Sequence, residues 1–413
     1  MDTVVETFRP AVEWELQGLI RRLNENGTPA EIVGGGSKRA VGRPSQAPVR
    51  IETGSLSGIT LYEPTELVLS ARAGTPLAQI ETTLAERGQM LAFEAMDLGP
   101  ATGGHGGSQT LGGVIATNIS GARRIAMGAA RDHLLGVRAI NGRGEIFKSG
   151  GRVLKNVTGY DVARALAGSW GTLAVLSEVT VKVLPKPKET ETLIYAGLSD
   201  EIATELMCAS LSTPYEVTGT AHLTAGLTVR LEQPTLAREA APLTAIRLEN
   251  FASSIAYRAP RLIEALKVYG TPIRLGTEAS LQLWSELRRL SVMTPTPGEA
   301  PTQLWRLSTA PGVAASLVGQ IRRNMQLEAL YDASGGIIWL EVMASADGGA
   351  ADIRRLLASY GGHATLVRAS PDVRANVEVF QPMTGSIERL SRGLKDAFDP
   401  ARILNPGRMY AGI

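Results

Sequence analysis

The chain has 413 residues and a single cysteine, Cys208. An intramolecular disulfide is therefore impossible, and so is an iron–sulfur cluster held by this chain's own thiolates. Histidine is nearly as scarce. His105, His133, His222 and His363 are the only four, and none stands in HExxH or another dense ligand spacing, so no metal site is expected. An excess of one charge is also missing. Lys and Arg total 42 against 40 Asp and Glu, a net charge of +2. With no Lys/Arg-rich run, the chain lacks the electrostatic footprint of a nucleic-acid or membrane-surface binder. No apolar run approaches the length of a membrane span. The opening "MDTVVETFRPAVEW" lacks the basic-then-apolar order of a signal peptide. These features together predict a reducing cytoplasm.

Glycine is abundant. There are 45, and seventeen of them fall in Gly99–Gly171, which concentrates bare backbone in one part of the chain. Otherwise the composition is ordinary for a globular protein, with 44% hydrophobic and 20% charged residues. The length suggests two domains.

Short strands and helices alternate in the first third. Val12–Asn24 has helical apolar spacing, and "AEIVGGGSK" reads as a strand entering a glycine turn. "GITLYEPTELVLSARAG" reads as two strands around Glu63–Pro64. "TPLAQIETTLAERG" reads as a helix capped by Thr75, opened by Pro76 and ended by Gly88. Asn141–Gly142 predicts a tight hairpin turn. "LPKPK" at Leu184–Lys188 cannot continue a central strand and marks a boundary. Beyond it, "YEVTGTAHL", "GLTVRLE" and "GGIIWLEVMAS" read as strands. "RAPRLIEALKVYG", "TEASLQLWSELRRLS", "VAASLVGQIRRNM" and "ADIRRLLASYGG" read as helices. The expected second domain is α+β, an antiparallel sheet with helices on one face. Thr294–Gln303 reads as a Pro/Thr loop.

Three stretches share one character: Gly34–Arg39 ("GGGSKR"), Leu111–Gly121 ("LGGVIATNISG") and Gly168–Val175 ("GSWGTLAV"). A strand running into consecutive glycines offers several N–H donors with no side chain in the way, a geometry that holds phosphate oxygens. A glycine triplet alone also fits a plain turn. The order Gly36-Ser37-Lys38 is not a Walker loop, and no GxGxxG fingerprint opens a helix near Gly34. The ligand expected is therefore a nucleotide or dinucleotide in some other fold.

Four segments in order, "VGGGSK", "TLGGVIATNISG", "GAARDHLLGVRAINGRGE" and "LKNVTGYDVARALAGSWGTLAVLSEVTVKVLP", resemble the flavin domain of the vanillyl-alcohol oxidase / p-cresol methylhydroxylase (PCMH) superfamily. Within it the chain is most similar to the FAD-binding E subunits of bacterial glycolate oxidases. "FDPARILNPGRMY" matches the family's closing segment. The resemblance implies a two-subdomain PCMH-type FAD-binding domain over 1–187. An α+β domain over 188–375 and a segment 376–413 returning to the flavin domain would follow.

The resemblance also implies roles. The N–H groups of Gly34, Gly35, Gly36 and Ser37 would hold the pyrophosphate, with Lys38 beside them where a histidine tethers FAD in some relatives. FAD is thus expected to be non-covalent, and His105 is read as a loop residue in polar contact. Thr110, Gly112, Gly113, Thr117 and Asn118 would run along the ribityl and pyrophosphate or under the ring. Gly121, Gly128 and Asp132 would shape the next wall, and Gly168, Gly171, Leu173 and Val175 would pass near the adenine end. Asn405 would bring the chain terminus back. The family often has Thr at Ser37, Glu at Trp170 and Gly at Ala174; the first change keeps a hydroxyl.

Relatives that oxidise 2-hydroxy acids carry a "GHxGDGNxH" signature, absent here. Arg306 in "QLWRLS" is a weak candidate for a substrate-carboxylate cation, with a structural ion pair as the plainer reading. The catalytic residues are otherwise open. The implied function is an FAD-binding subunit that takes part in oxidising glycolate to glyoxylate. Its implied partners are a second FAD-binding catalytic subunit and an iron–sulfur subunit, through which any inner-membrane contact would be made. A flavin-binding or assembly subunit without chemistry of its own, and a standalone oxidase, are the alternatives.

Overall fold

The computed structural model describes residues 5–152, 160–296, 298 and 300–413. Part of the fourth family-like segment, "LKNVTG" at 154–159, lies outside the described residues, as do the first four residues of the chain and positions 297 and 299 of the Pro/Thr loop.

Two larger sheets, and a short antiparallel pair of Gln89–Met90 with Leu184–Pro185, carry the first part of the chain. The smaller is parallel, with spatial order Glu6–Phe8, Val49–Glu52, Ala30–Val33. The larger has five antiparallel strands in the order Ile59–Glu63, Val68–Arg72, Ala174–Lys182, Leu134–Asn141, Ile146–Gly150. The helix Glu13–Glu25 buries Leu16, Leu19, Ile20 and Leu23, its one apolar stripe, in a core shared with Ile51 and Val175. Each of those leucines contributes roughly 2 kcal/mol by leaving water.

The second part forms one antiparallel sheet of eight strands. Its order is Ile273–Leu275, Glu189–Ala196, Leu243–Asn250, Gly219–Leu223, Leu327–Asp332, Ile337–Met343, Thr302–Ser308, His363–Arg368. Period-two alternation gives it two unlike faces. Ile246, Leu248, Tyr331, Ile338, Trp305 and Leu307 face helices Asp200–Leu211, Ala252–Ala265, Ala314–Arg322 and Ala350–Tyr360. Ala245, Leu330, Trp339 and Leu304 face the other way, onto Met96, Leu98, Ala101, Ile119 and Ala122 of the glycine-dense segment. One helix, Thr277–Arg289, also packs on this second face through Leu283, Trp284 and Leu287. The expectation of helices on one face alone is corrected at that helix.

Three local expectations are also corrected. Thr75 does not cap its helix. Its hydroxyl donates to the Arg72 carbonyl at 2.7 Å and accepts from Gly58 N–H at 2.9 Å, and the helix runs Leu77–Ala85 with Pro76 at its cap position. The hairpin turns tightly one residue later than expected, with Gly142 and Arg143 at the centre and Gly144 N–H donating to the Asn141 carbonyl at 3.0 Å. Asn141 Oδ1 accepts from the N–H groups of Arg143 and Glu145, and a Cβ on Gly142 would run into Asp399. "GLTVRLE" is not a strand. Ala225–Thr228 is a helical turn started at Thr224, because Thr224 is tied to the neighbouring strand through the Ala329 N–H.

The closing segment completes the parallel sheet. Leu404 bridges Ala30 in parallel, Ala30 N–H donates to the Ile403 carbonyl at 2.7 Å, and Asn405 N–H donates back to Ala30 at 3.0 Å. Behind it Lys395, wholly buried, donates to Asp399 (2.8 Å) and to the carbonyls of Thr172 (2.7 Å) and Leu404 (3.0 Å).

Candidate cofactor site

A pocket opens where the strand Ala30–Val33 ends in its glycines. Gly34, Gly35, Gly36, Ser37 and Lys38 line it, with Thr110, Gly112, Gly113, Thr117, Gly171 and Asn405. Gly36 sits in the left-handed region at φ +78°, which turns the chain. A Cβ on Gly35 would run into the carbonyl oxygen of Ser108, and one on Gly34 into the Thr110 hydroxyl. These glycines are bare because the second glycine segment packs against the first.

Among the described residues, the N–H groups of Gly35, Gly36 and Ser37 donate to no protein acceptor. Successive free N–H groups around a turn form an anion-binding concavity. The helix Leu111–Thr117 starts at the same pocket, its Thr110 hydroxyl accepting from Gly113 N–H at 3.3 Å. Lys38, Arg39 and Arg408 add positive charge to the wall. Burial lowers the Lys38 ammonium to about 8, with Asp97 pulling it back up. Burial pushes the Glu31 carboxyl up, but Arg39 at 2.7 Å and Arg50 at 3.1 Å outweigh it and hold it below its ordinary value. Uncovered N–H donors beside Lys38, Arg39 and Arg408 fit the pyrophosphate of a dinucleotide such as FAD.

Arg408, Trp170, Thr53, Ala73 and Leu176 also line the pocket and escaped the sequence reading. Arg408 was within reach, because it lies in the closing segment already matched to the family. Asn405 lines the pocket where the closing segment meets it. Its Oδ1 accepts from Ile32 N–H at 2.7 Å and its Nδ2 donates to the Trp170 carbonyl at 2.8 Å, which ties the chain end across the pocket mouth.

Seven residues of the expected wall lie off the pocket. Asn118, at φ +50°, ends the helix, and its Oδ1 accepts from Arg131 N–H. Gly168, at φ +88°, packs near Asn118. Gly128 makes room for Asp132, whose carboxylate takes the Ala129 N–H at 2.9 Å to close a turn. Leu173 and Val175 are core residues on different sheets' sides. Gly121 abuts Glu94 at a small interdomain cavity. His105 is exposed. His133 is buried against Phe93, with Nε2 at 2.7 Å from the Met127 carbonyl.

A charge network clamps the eight-stranded sheet to the glycine segment. Arg247 meets Glu94 at 2.7 Å, and Arg123 meets Glu249 at 2.6 Å. Burial raises Glu94, but Arg247 and Arg123 overcome it and leave the carboxyl at about 2. On the same face, Arg306 stands cross-strand from Trp339, its guanidinium 5.8 Å from the indole centre. The structural ion pair read for Arg306 is not formed with any described residue, and its buried Nε has no hydrogen-bond partner. His222 lies on the opposite, helix-covered face. Both its nitrogens are engaged, by Thr244 at 2.9 Å and Asp200 at 3.2 Å.

Residues 6–150 match the FAD binding domain family. The chain is 32% identical over 400 residues to glycolate oxidase subunit GlcE of Escherichia coli (strain K12), covering 96% of this chain and 98% of that protein. It belongs to the GlcE family. The chain is accordingly of the FAD-dependent oxidoreductase class, with FAD as cofactor. Glycolate oxidase subunit GlcD of Bacillus subtilis (strain 168) is a more distant relative, 26% identical over 73% of this chain and 68% of its own length. The fold is that of p-cresol methylhydroxylase, matched over 98% of this chain and 88% of that one at a TM-score of 0.72 and 12% identity. Within this GlcE-family chain, no described helix is long and apolar enough to cross a membrane.

Proposed function

We propose that this chain is the flavin-binding subunit of a glycolate (2-hydroxy acid) oxidase or dehydrogenase complex. Residues 1–187 and the closing segment 376–413 hold FAD non-covalently, and residues 188–375 cover it and meet substrate or partner. A second FAD-binding catalytic subunit and an iron–sulfur subunit complete the complex. The observation that carries this reading is the run of N–H groups at Gly35, Gly36 and Ser37, which meet no acceptor among the described residues, inside a pocket that Asn405 lines.

In this reading those N–H groups bind the pyrophosphate oxygens, with the Ser37 hydroxyl as a further donor. Lys38 and Arg408 offset the phosphate charge. The helix starting at Thr110 lends its positive end to the same anion. Asn405 anchors the closing segment at the mouth. FAD, when bound, accepts a hydride as two electrons and can release them singly, which suits transfer onward to a cluster. No histidine reaches the pocket, and His222 is held on the far face by Asp200 and Thr244.

The test is the visible spectrum of the purified chain before and after acid precipitation, followed by anaerobic addition of glycolate. Yellow colour released fully to the supernatant supports non-covalent FAD, and colour left in the pellet overturns it. Co-purification from the native source should bring down a cysteine-rich protein and a larger flavoprotein. A monomer that oxidises glycolate unaided would overturn the subunit reading.

A further inference from the structure

Trp170 combines the largest of side chains with a backbone conformation that suits glycine. Its φ is +55°, in the left-handed region that a bulky residue seldom occupies, and Gly171 follows at +72°. A glycine at 170 would make the same turn without strain. Both main-chain groups of Trp170 are committed. Its N–H donates to the Ala116 carbonyl at 2.9 Å, near the end of the helix Leu111–Thr117. Its carbonyl accepts from Asn405 Nδ2 at 2.8 Å. Strained residues persist where their surroundings over-determine them, and they cluster at ligand clamps.

The indole stands where three parts of the molecule meet. It lines the cofactor pocket and is only half-buried. It meets Phe380, a residue of the helix-covered core of the eight-stranded sheet, edge-on with ring centres 5.4 Å apart. It also packs against the apolar cluster on the sheet's other face. The chain end holds it from a third side. Arg408 sets its guanidinium 5.9 Å from the indole centre and donates to the Lys38 carbonyl at 3.0 Å, so it joins the phosphate loop to Trp170. Tyr410 packs on Phe380 at 6.1 Å. A helical rise of about 1.5 Å per residue puts Ala116 about 9 Å along the helix from Thr110, where the pyrophosphate donors lie. A ring joined through its sugar to a pyrophosphate at Gly35–Ser37 reaches that far.

We propose that one ring system of the bound dinucleotide stacks on the Trp170 indole, and that through Trp170 the cofactor fixes the chain end against the eight-stranded sheet. The chemistry recognised is a planar nitrogen heterocycle, which both the adenine and the isoalloxazine of FAD supply. This rests on the flavin reading above and deepens it: Asn405 and Arg408 respond to the cofactor as well as lining its pocket.

The probes are FAD, ADP and FMN, each titrated by calorimetry into the full chain after its flavin has been removed. Tryptic cleavage within 402–408 is timed with and without each probe. FAD should bind W170A about tenfold more weakly than wild type and W170F within about twofold, because a smaller ring restores the stack. Saturating FAD should slow cleavage about tenfold in wild type and W170F, and not in W170A. F380A separates stacking from packing. It removes the contact with the sheet's core and leaves the indole in the pocket, so FAD affinity should hold. An equal fall in F380A and W170A would mean that the indole only props the sheet, which overturns the proposal. Cleavage that FAD does not slow in wild type also overturns it. R408M decides the coupling if W170A does not fold: the protection by saturating FAD should shrink, and full protection overturns the link to the chain end. Protection by ADP alone assigns the stacked ring as adenine, and by FMN alone as isoalloxazine. A wild-type chain that binds no FAD removes the flavin reading and this inference together. One that binds FAD no more tightly than W170A does removes this inference alone.

Discussion

The nucleotide pocket and the facing side of the eight-stranded sheet are made of different material. The pocket is built from main chain: three N–H groups with no acceptor among the described residues, glycines with no room for a Cβ, and a helix start. The sheet face is built from side chains of distant segments, with Glu94, Arg123, Arg247, Arg306 and Asp332 drawn from both halves of the chain. A backbone site needs a local run of permissive residues, so it leaves a contiguous signature. A side-chain site needs only correct register in each strand, and its members leave no common pattern.

The comparison predicts unequal responses to substitution. Gly35→Val should have the largest effect. Its side chain would meet the Ser108 carbonyl, so the two glycine segments must separate. Flavin is expected to be absent after purification and the melting temperature depressed, both read directly from the purified variant. Retained flavin would show that the pocket does not depend on backbone packing.

Lys395→Met comes next. It leaves Asp399 buried without its cation and frees the carbonyls of Thr172 and Leu404. A loss of about 3–5 kcal/mol in urea unfolding is expected. It tests whether a backbone pocket still leans on one side chain outside it.

Asp332→Asn probes the side-chain face. The folded chain holds this acid neutral up to about pH 7, against an ordinary value of 3.8. The folded state binds the proton more tightly than the unfolded one, so wild type loses stability as pH rises from about 4 through 7. Asparagine carries no such cost and still accepts the Ala333 N–H. Its stability relative to wild type should improve by about 4 kcal/mol between pH 4 and pH 8, measured by denaturation at both pH values. An unchanged difference would mean that Asp332 is solvated.

Ser37→Ala should do least. It removes one hydroxyl donor and leaves the main-chain groups in place, so FAD affinity should fall about fivefold, near 1 kcal/mol. A loss as large as that of Gly35→Val would abolish the contrast between backbone and side-chain construction.

Legibility followed the same division. The strand into Gly34–Gly36, the helix Glu13–Glu25 and most helices of the second part were visible because periodicity and glycine runs are local. The purpose of the glycines was less visible. Gly35 reads as room for a phosphate, whereas the structure fills that room with Ser108. Leu173, Val175, Gly128 and Asp132 carry the family pattern yet serve core and turn, because sequence matching cannot separate a wall from its support. "GLTVRLE" failed because its alternation is strand-like while Thr224 is held by the Ala329 N–H. Arg306 was singled out as one cation. Its lack of an acid depends on the strand partners of residues more than 30 positions apart, which no window on the sequence reports.

The edge of the parallel sheet that takes up Leu404 and Asn405 also sets a timetable for biosynthesis. The ribosome makes the flavin loop long before the segment that seals it, since the bonded pair Ile32 and Asn405 are 373 positions apart. Until then Ala30–Val33 presents an open edge, the kind of surface that pairs with the wrong chain. A nascent chain thus displays its flavin loop long before it can close around flavin. That interval, more than the loop itself, is where a chaperone or a shortage of cofactor would act.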